Sequence, residues 1–137
     1  MAFLDGIKVI SLEQAVAAPA CSMRLVQAGA EVIKIERPEG DFARGYDSVV
    51  AGKSSYFVWL NAGKKSVVLD LQQGEQVEIL RQLISQSDVF IQNLKPGALA
   101  KLGVELDTLH QQHSKLISMS ISGFAVDGPG HSRKAYD

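Results

Sequence analysis

Short apolar runs alternate with longer amphipathic ones along this chain. "IKVISLE" (7–13), "EVIKIE" (31–36), "SVVLDL" (66–71), "DVFIQN" (88–93) and "KLISMSIS" (115–122) are brief, rich in Val and Ile, and bounded by turn residues. That pattern predicts five strands. "AVAAPACSMRLVQAGA" predicts a helix opened by Pro19 and closed by Gly29. Proline fits a first helical turn, and glycine fits the left-handed position past the last one. "GEQVEILRQLISQS" sets Val77, Leu80, Leu83 and Ile84 on one helical face. "ALAKLG", closed by Gly103, and "LDTLHQQH" predict two short helices. Residues 38–60 hold Gly40, Gly45 and Gly52 among Phe42, Tyr46, Tyr56, Phe57 and Trp59. They read as one long irregular loop, a kind of segment that is usually functional.

Strand, helix, strand at this spacing is a βαβ unit, so the strands are parallel and the crossovers right-handed. The expected class is α/β, a parallel sheet flanked by helices on both faces. Ligands of such sheets bind beyond the carboxyl ends of the strands. Those ends are Glu13-Gln14, Glu36-Arg37, Asn93-Leu94-Lys95 and Ser122-Gly123.

Composition narrows the picture without redirecting it. A chain of 137 residues with 46% hydrophobic and 21% charged residues suits one domain with one core. A net charge of −1 gives no global pull toward nucleic acid or an anionic membrane, so any anion site is local. Cys21 is the only cysteine, which excludes an intrachain disulfide and points to a reducing, cytoplasmic setting. The opening "MAFLDGIKVISLE" has no basic n-region, and no apolar run is long enough to span a bilayer.

Several familiar chemistries fail on their own spacing. Glu36 after the second strand would suit a nicotinamide ribose, but "EQAVAAPA" after the first strand has no glycine for a pyrophosphate. "AGKSS" (51–55) has Asp47 where a phosphate loop needs glycine, and no strand precedes it. His110 and His113 have no third ligand at telling spacing and read as exposed helix residues, so no metal is expected. Cys21 reads as a small buried hydrophobe rather than a nucleophile. What remains is a recurrence of cations on loops near strand ends: Arg37, Lys64, Lys65, Lys95, Lys101, Arg133 and Lys134. Separate cations suit a ligand with several phosphates.

The blocks "LDGIKVISLEQAVAAPACSMRLVQAGAEVIKIERPEGD", "FVWLNAGKKSVVLDLQ", "VFIQNLKPGALAKLGV" and "LISMSISGFAVDGP", with the closing "AYD", resemble the family III CoA-transferases. This CaiB/BaiF-like group includes formyl-CoA transferase, the carnitine and bile-acid CoA-transferases and the related α-methylacyl-CoA racemases. The resemblance runs from Leu4 to Asp137. "SLEQAVAAP" and "GDFARGYDSVVAGKSSYFVWLN" look most like members acting on small dicarboxylates.

The resemblance implies a Rossmann-like large domain that binds coenzyme A as an acyl-CoA substrate, with residues 1–137 as its N-terminal portion. The rest of that domain and a small domain would lie outside this chain. By position, the family's CoA contacts fall on Val16 and Ala17, on Arg37, and on Leu69, Asp70, Leu71 and Gln72. They continue on Asn93, Leu94, Lys95, Lys101, Arg133, Lys134, Ala135 and Tyr136. Arg37, Lys101, Arg133 and Lys134 would meet phosphates, and Leu69 and Leu71 would pack on adenine. Glu36 would anchor its strand end and orient Arg37. Lys101 stands where many members have arginine, and a lysine is a point charge rather than a fork. Tyr136 and Asp137 match a pair lining the active site, and tyrosine there favours transferase over racemase.

The implied reaction moves CoA from an acyl-CoA thioester to a small carboxylic acid, through an aspartyl anhydride and thioester. That aspartate would lie beyond Asp137, so this piece alone is expected to be inactive. The family implies an interlocked homodimer and no metal, nucleic acid or membrane partner. Two other readings stay open: a racemase or carnitine-dehydratase-like enzyme, and a non-catalytic CoA- or nucleotide-binding module. A sheet that stops here should also leave an open edge and uncovered apolar surface.

Overall fold

Alternation along each strand decides which side of the sheet every helix covers. In the computed structural model, which describes residues 1–125 and 127–135, the strands are β1 (Lys8–Leu12), β2 (Glu31–Glu36), β3 (Lys65–Val68), β4 (Val89–Gln92) and β5 (Ile117–Ser120). The helices are α1 (Ala17–Gln27), α2 (Ser55–Asn61), α3 (Gly74–Ser85), α4 (Ala98–Lys101) and α5 (Leu106–Gln112), with a 3-10 turn at Phe42–Gly45. On one side of the sheet Ile10, Leu12, Ile33, Ile35, Val67 and Phe90 meet Val77, Leu80 and Ile84 of α3, Leu99 of α4 and Leu109 of α5. On the other, Val9, Val32 and Ile91 meet Ala18, Cys21, Leu25 and Val26 of α1. Burying one such side chain completely contributes about 1.5–3 kcal/mol.

All strand pairs are parallel, in the order β3-β2-β1-β4-β5. The chain works outward from β1 to β3 and then returns to β4. The order therefore reverses between β1 and β4, where doubly wound sheets open their crevice. The protein is thus α/β with a Rossmann-like sheet, as its pattern predicts.

The ends of α1 follow the expected chemistry. Pro19 is its third residue, where no intrahelical amide is needed. Gly29 takes φ +103°, and the amides of Gly29 and Ala30 return to the carbonyls of Val26 and Leu25. That is the double closure by which a left-handed residue ends a helix.

One expectation is corrected. Residues 38–60 are not irregular throughout, because α2 begins at Ser55. Ser54 is its N-cap and accepts from the Phe57 amide, while Leu60 is fully buried beneath it. The available signal was a serine two places before the run Tyr56-Phe57-Val58-Trp59-Leu60.

The outer strands are thinly covered. Val68 of β3 is 59% exposed and Ile117 of β5 is 64% exposed. Among the described residues no strand pairs with the free side of either. The exposed edge and apolar surface expected from the sequence are therefore present.

Candidate functional site

The sheet side facing α1 carries polar residues toward its carboxyl end. Val9, Ser11 and Glu13 point one way from β1, and Val32, Lys34 and Glu36 point the same way from β2. Ser11, Glu13, Lys34 and Glu36 are all buried. Unpaired, such charges would be prohibitively costly to fold around. Each has its partners. Glu13 accepts from Ser11 and Ser22 and from Lys64 Nζ at 2.6 Å, with Lys34 Nζ at 3.7 Å. Lys34 also donates to Asp41 and lies beneath the Phe57 ring, 5.6 Å from its centroid. Lys64 further donates to the carbonyl of Pro19 and to Asn61. Burial pushes the Lys64 ammonium down from its ordinary value, although Glu13 works against it.

Glu36 anchors the end of β2, but not through its neighbour. Its carboxylate takes both arms of Arg44, at 2.9 and 2.8 Å, and accepts from Ser66 and the Asp41 amide. Burial acts to raise this carboxyl. The hydrogen bonds from Arg44 and Ser66 outweigh it and hold the group below the usual carboxylate range. The expected Glu36–Arg37 orientation is thus replaced by Glu36–Arg44. Arg37 is oriented otherwise: Nε donates to the Gly40 carbonyl at 2.9 Å, and the guanidinium lies 4.1 Å from the Phe42 ring centroid. Exposed Glu39 approaches it at 3.8 Å.

Next to this network, at the carboxyl ends of β1 to β3, lies a cavity of about 460 Å³. Leu12, Glu13 and Gln14 line it from β1, and Ile35 through Asp41 from β2 and the following turn. Leu69, Asp70, Leu71 and Gln72 follow β3, and Leu94 and Leu102 close it from the β4 side. Its carboxylates are not equivalent. Glu13, Glu36 and Asp41 are matched by Lys64, Arg44 and Lys34. Asp70 accepts from the Gln72 amide and from Gln73 in its own turn. Arg37 is the cation on this lining. The result is a cleft of mixed lining, in which Leu12, Ile35, Leu69, Leu71, Leu94 and Leu102 supply apolar surface and Arg37 a held guanidinium, suited to a flat apolar-faced group carrying an anion.

The residues singled out in the sequence divide between several places. Arg37, Leu69, Asp70, Leu71, Gln72 and Leu94 line the cavity. Val16 and Ala17 open α1 beside it, with no side-chain cap on the helix. Asn93 follows β4, and its amide group is committed to Gln14: Oδ1 accepts from the Gln14 amide at 3.0 Å and Nδ2 donates to the Gln14 carbonyl at 2.8 Å. Lys95 and Lys101 are exposed outside the lining. Arg133, Lys134 and Ala135 are exposed in the tail, which returns so that Ala135 fills the space over Gly123 beyond β5. Tyr136 and Asp137 lie outside the described residues. Two cations of the rim pattern belong elsewhere. Lys64 is buried with Glu13, and Lys65 turns to Glu31 at the amino end of β2.

The histidines and the cysteine set aside in the sequence have ordinary neighbours. His110 Nε2 lies 2.9 Å from Ser118 Oγ. Among the described residues, no three of His, Cys, Asp or Glu gather as metal ligands. Cys21 is half-buried against Met119, and burial with Glu13 nearby pushes its thiol up. No described helix is long and apolar enough to cross a membrane. The charged network was missed in the sequence. Its signal was a lysine and a serine in the middle of otherwise apolar strands.

Fold and cleft define a doubly wound α/β protein with a cavity at the carboxyl rim of its sheet. The chain belongs to the CoA-transferase family III, whose profile matches residues 4–137. It is 35% identical to the succinyl-CoA:glutarate CoA-transferase of Homo sapiens over 136 residues, covering 98% of this chain and 31% of that protein. It is 37% identical to the probable fatty acyl-CoA transferase Rv3272 of Mycobacterium tuberculosis over 137 residues, 98% of this chain and 35% of that one. A crystal structure of Rv3272 superposes with a TM-score of 0.93 at 36% identity, covering 99% of this chain and 39% of that chain. The chain spans about a third of the length of these relatives.

Proposed function

We propose that this chain supplies the coenzyme A-binding part of a transferase that moves CoA from an acyl-CoA thioester to a small dicarboxylic acid. The observation that carries the reading is the held guanidinium of Arg37 at the mouth of a cleft walled by Leu69 and Leu71. Adenine would lie against the leucines and the 3′-phosphate would face Arg37. Its Nε already bonds Gly40, which leaves the two terminal nitrogens for a forked contact. Val16 and Ala17 at the uncapped start of α1 offer amides to the ligand, and Lys95, Lys101, Arg133 and Lys134 would add charge around the diphosphate. The dicarboxylate acceptor rests on "SLEQAVAAP" and on the name of the human relative.

Chemistry needs a nucleophile as well. An aspartate outside these residues would attack the thioester carbonyl, release CoA thiolate and form a mixed anhydride. The thiolate would then attack the aspartyl carbonyl of this anhydride, giving an aspartyl-CoA thioester and expelling the donor acid as its carboxylate. The acceptor carboxylate would attack that thioester, expelling CoA thiolate and forming a second anhydride, and the thiolate would attack its acceptor acyl carbon to give the new acyl-CoA and free the aspartate.

Calorimetric titration with CoA and with 3′-dephospho-CoA tests the binding step. CoA is expected to bind, and removing its 3′-phosphate or making Arg37→Ala should each weaken binding about tenfold, with little further loss when combined. Equal affinity for the two ligands, or no binding of either, would refute the reading.

A further inference from the structure

The turn between β1 and α1 has the backbone shape of a glycine turn without a glycine. Ala15 sits at φ +63°, in the left-handed region that non-glycine residues seldom occupy. Such a residue persists only when its surroundings hold it. Here two side chains from distant parts of the chain do so. Asp41 Oδ1 accepts the Ala15 amide at 2.9 Å and the Ala43 amide at 2.9 Å, while its other oxygen takes Lys34. Asn93 exchanges both of its amide atoms with the backbone of Gln14. The turn is therefore gripped from the β2 side and from the β4 side, across the switch point of the sheet.

We infer that Asp41 and Asn93 are positioning residues: together they hold the Gln14–Ala15–Val16 turn so that the first amides of α1 meet CoA in a fixed direction. The inference rests on the CoA-binding reading and adds the means by which a glycine-free turn approaches its ligand. Neither side chain needs to touch CoA. Lys34 belongs to the device, because it fixes the Asp41 carboxylate from below and is itself buried.

Glycine at position 15 supplies the test, since it adopts the same φ without strain. Asn93→Ala should weaken CoA binding about tenfold, the size expected for losing a pair of hydrogen bonds that set a turn. Asn93→Ala combined with Ala15→Gly should recover most of that loss. Binding by Asn93→Ala within about twofold of the parent, or no recovery in the double variant, overturns the inference. Amide hydrogen exchange of the ligand-free chain reads the grip directly. The Ala15 amide should exchange faster in Asp41→Asn and in Asn93→Ala, while amides in the middle of α1 stay protected. Unchanged exchange at Ala15 in both variants also overturns it. If the parent chain binds no CoA while its Ala15 amide is protected, the functional reading fails and the grip stands.

Discussion

Glu36 and Arg44 meet through two parallel hydrogen bonds, Nε to Oε2 at 2.9 Å and Nη2 to Oε1 at 2.8 Å. The acid that ends β2 is thereby tied to the loop that leaves it, and that loop carries Asp41 back to the Ala15 turn. Arg44 also stacks on Phe57 at 3.8 Å, which links the same loop to α2.

Replacing Arg44 by alanine should destabilise the protein by about 1–3 kcal/mol, below the cost of breaking a fully buried pair because half of the arginine side chain faces water. Arg44→Lys should recover only part, since an ammonium cannot fork. The pH dependence has a definite sign. The Glu36 carboxyl is depressed in the fold, so its contribution is complete above the usual glutamate range and disappears as pH falls through the depressed value. Urea unfolding at several pH values should show the difference between parent and Arg44→Ala constant near neutrality and shrinking in acid. A difference that grows in acid would contradict this.

Glu13 and Lys64 form a buried pair with side-chain exposures of 0% and 2%. Lys64→Met leaves the carboxylate with Lys34 at 3.7 Å and two serines, and should cost about 3–5 kcal/mol. Glu13→Gln with Lys64→Met should cost less than the sum of the single changes, because no buried charge is then stranded. Strict additivity in urea unfolding would argue against the pairing.

Asp47 accepts from the Val49 and Ser55 amides and from the Ser55 hydroxyl. These bonds lower its carboxyl to about 2 from the ordinary 3.8. Its share of stability is therefore intact above the ordinary value and is lost as pH falls toward about 2. An NMR titration of the side-chain carboxyl should give that value in the parent and a higher one in Ser55→Ala. A normal aspartate titration in the parent would contradict the loop geometry.

The strands were legible because their apolar runs are short and β-branched, and α3 because Val77, Leu80 and Ile84 repeat at helical spacing and all become buried. The sheet's parallel direction followed from helix-length connections. Less visible was α2, since Tyr56, Val58 and Trp59 face outward and blur its periodicity. Of the candidate site, Arg37 was found by following strand ends and Leu69 through Gln72 by the family resemblance, and all of them line the cavity. Lys64 misled because a lysine's long stem can bury its charge far from where its backbone lies. The grip on Ala15 was beyond any local pattern. Gln14 and Asn93 are 79 positions apart, and nothing near either one signals the other.

The uncovered flanks of β3 and β5 bear on how this molecule will respond to heat. Among the described residues no strand pairs with the outer side of either, and Val68 and Ile117 are exposed there, a template on which a neighbouring molecule can add. Warming is therefore expected to drive lateral growth between chains before each chain has melted on its own. The midpoint of a thermal scan should move with heating rate and protein concentration, reporting the speed of that growth rather than an equilibrium.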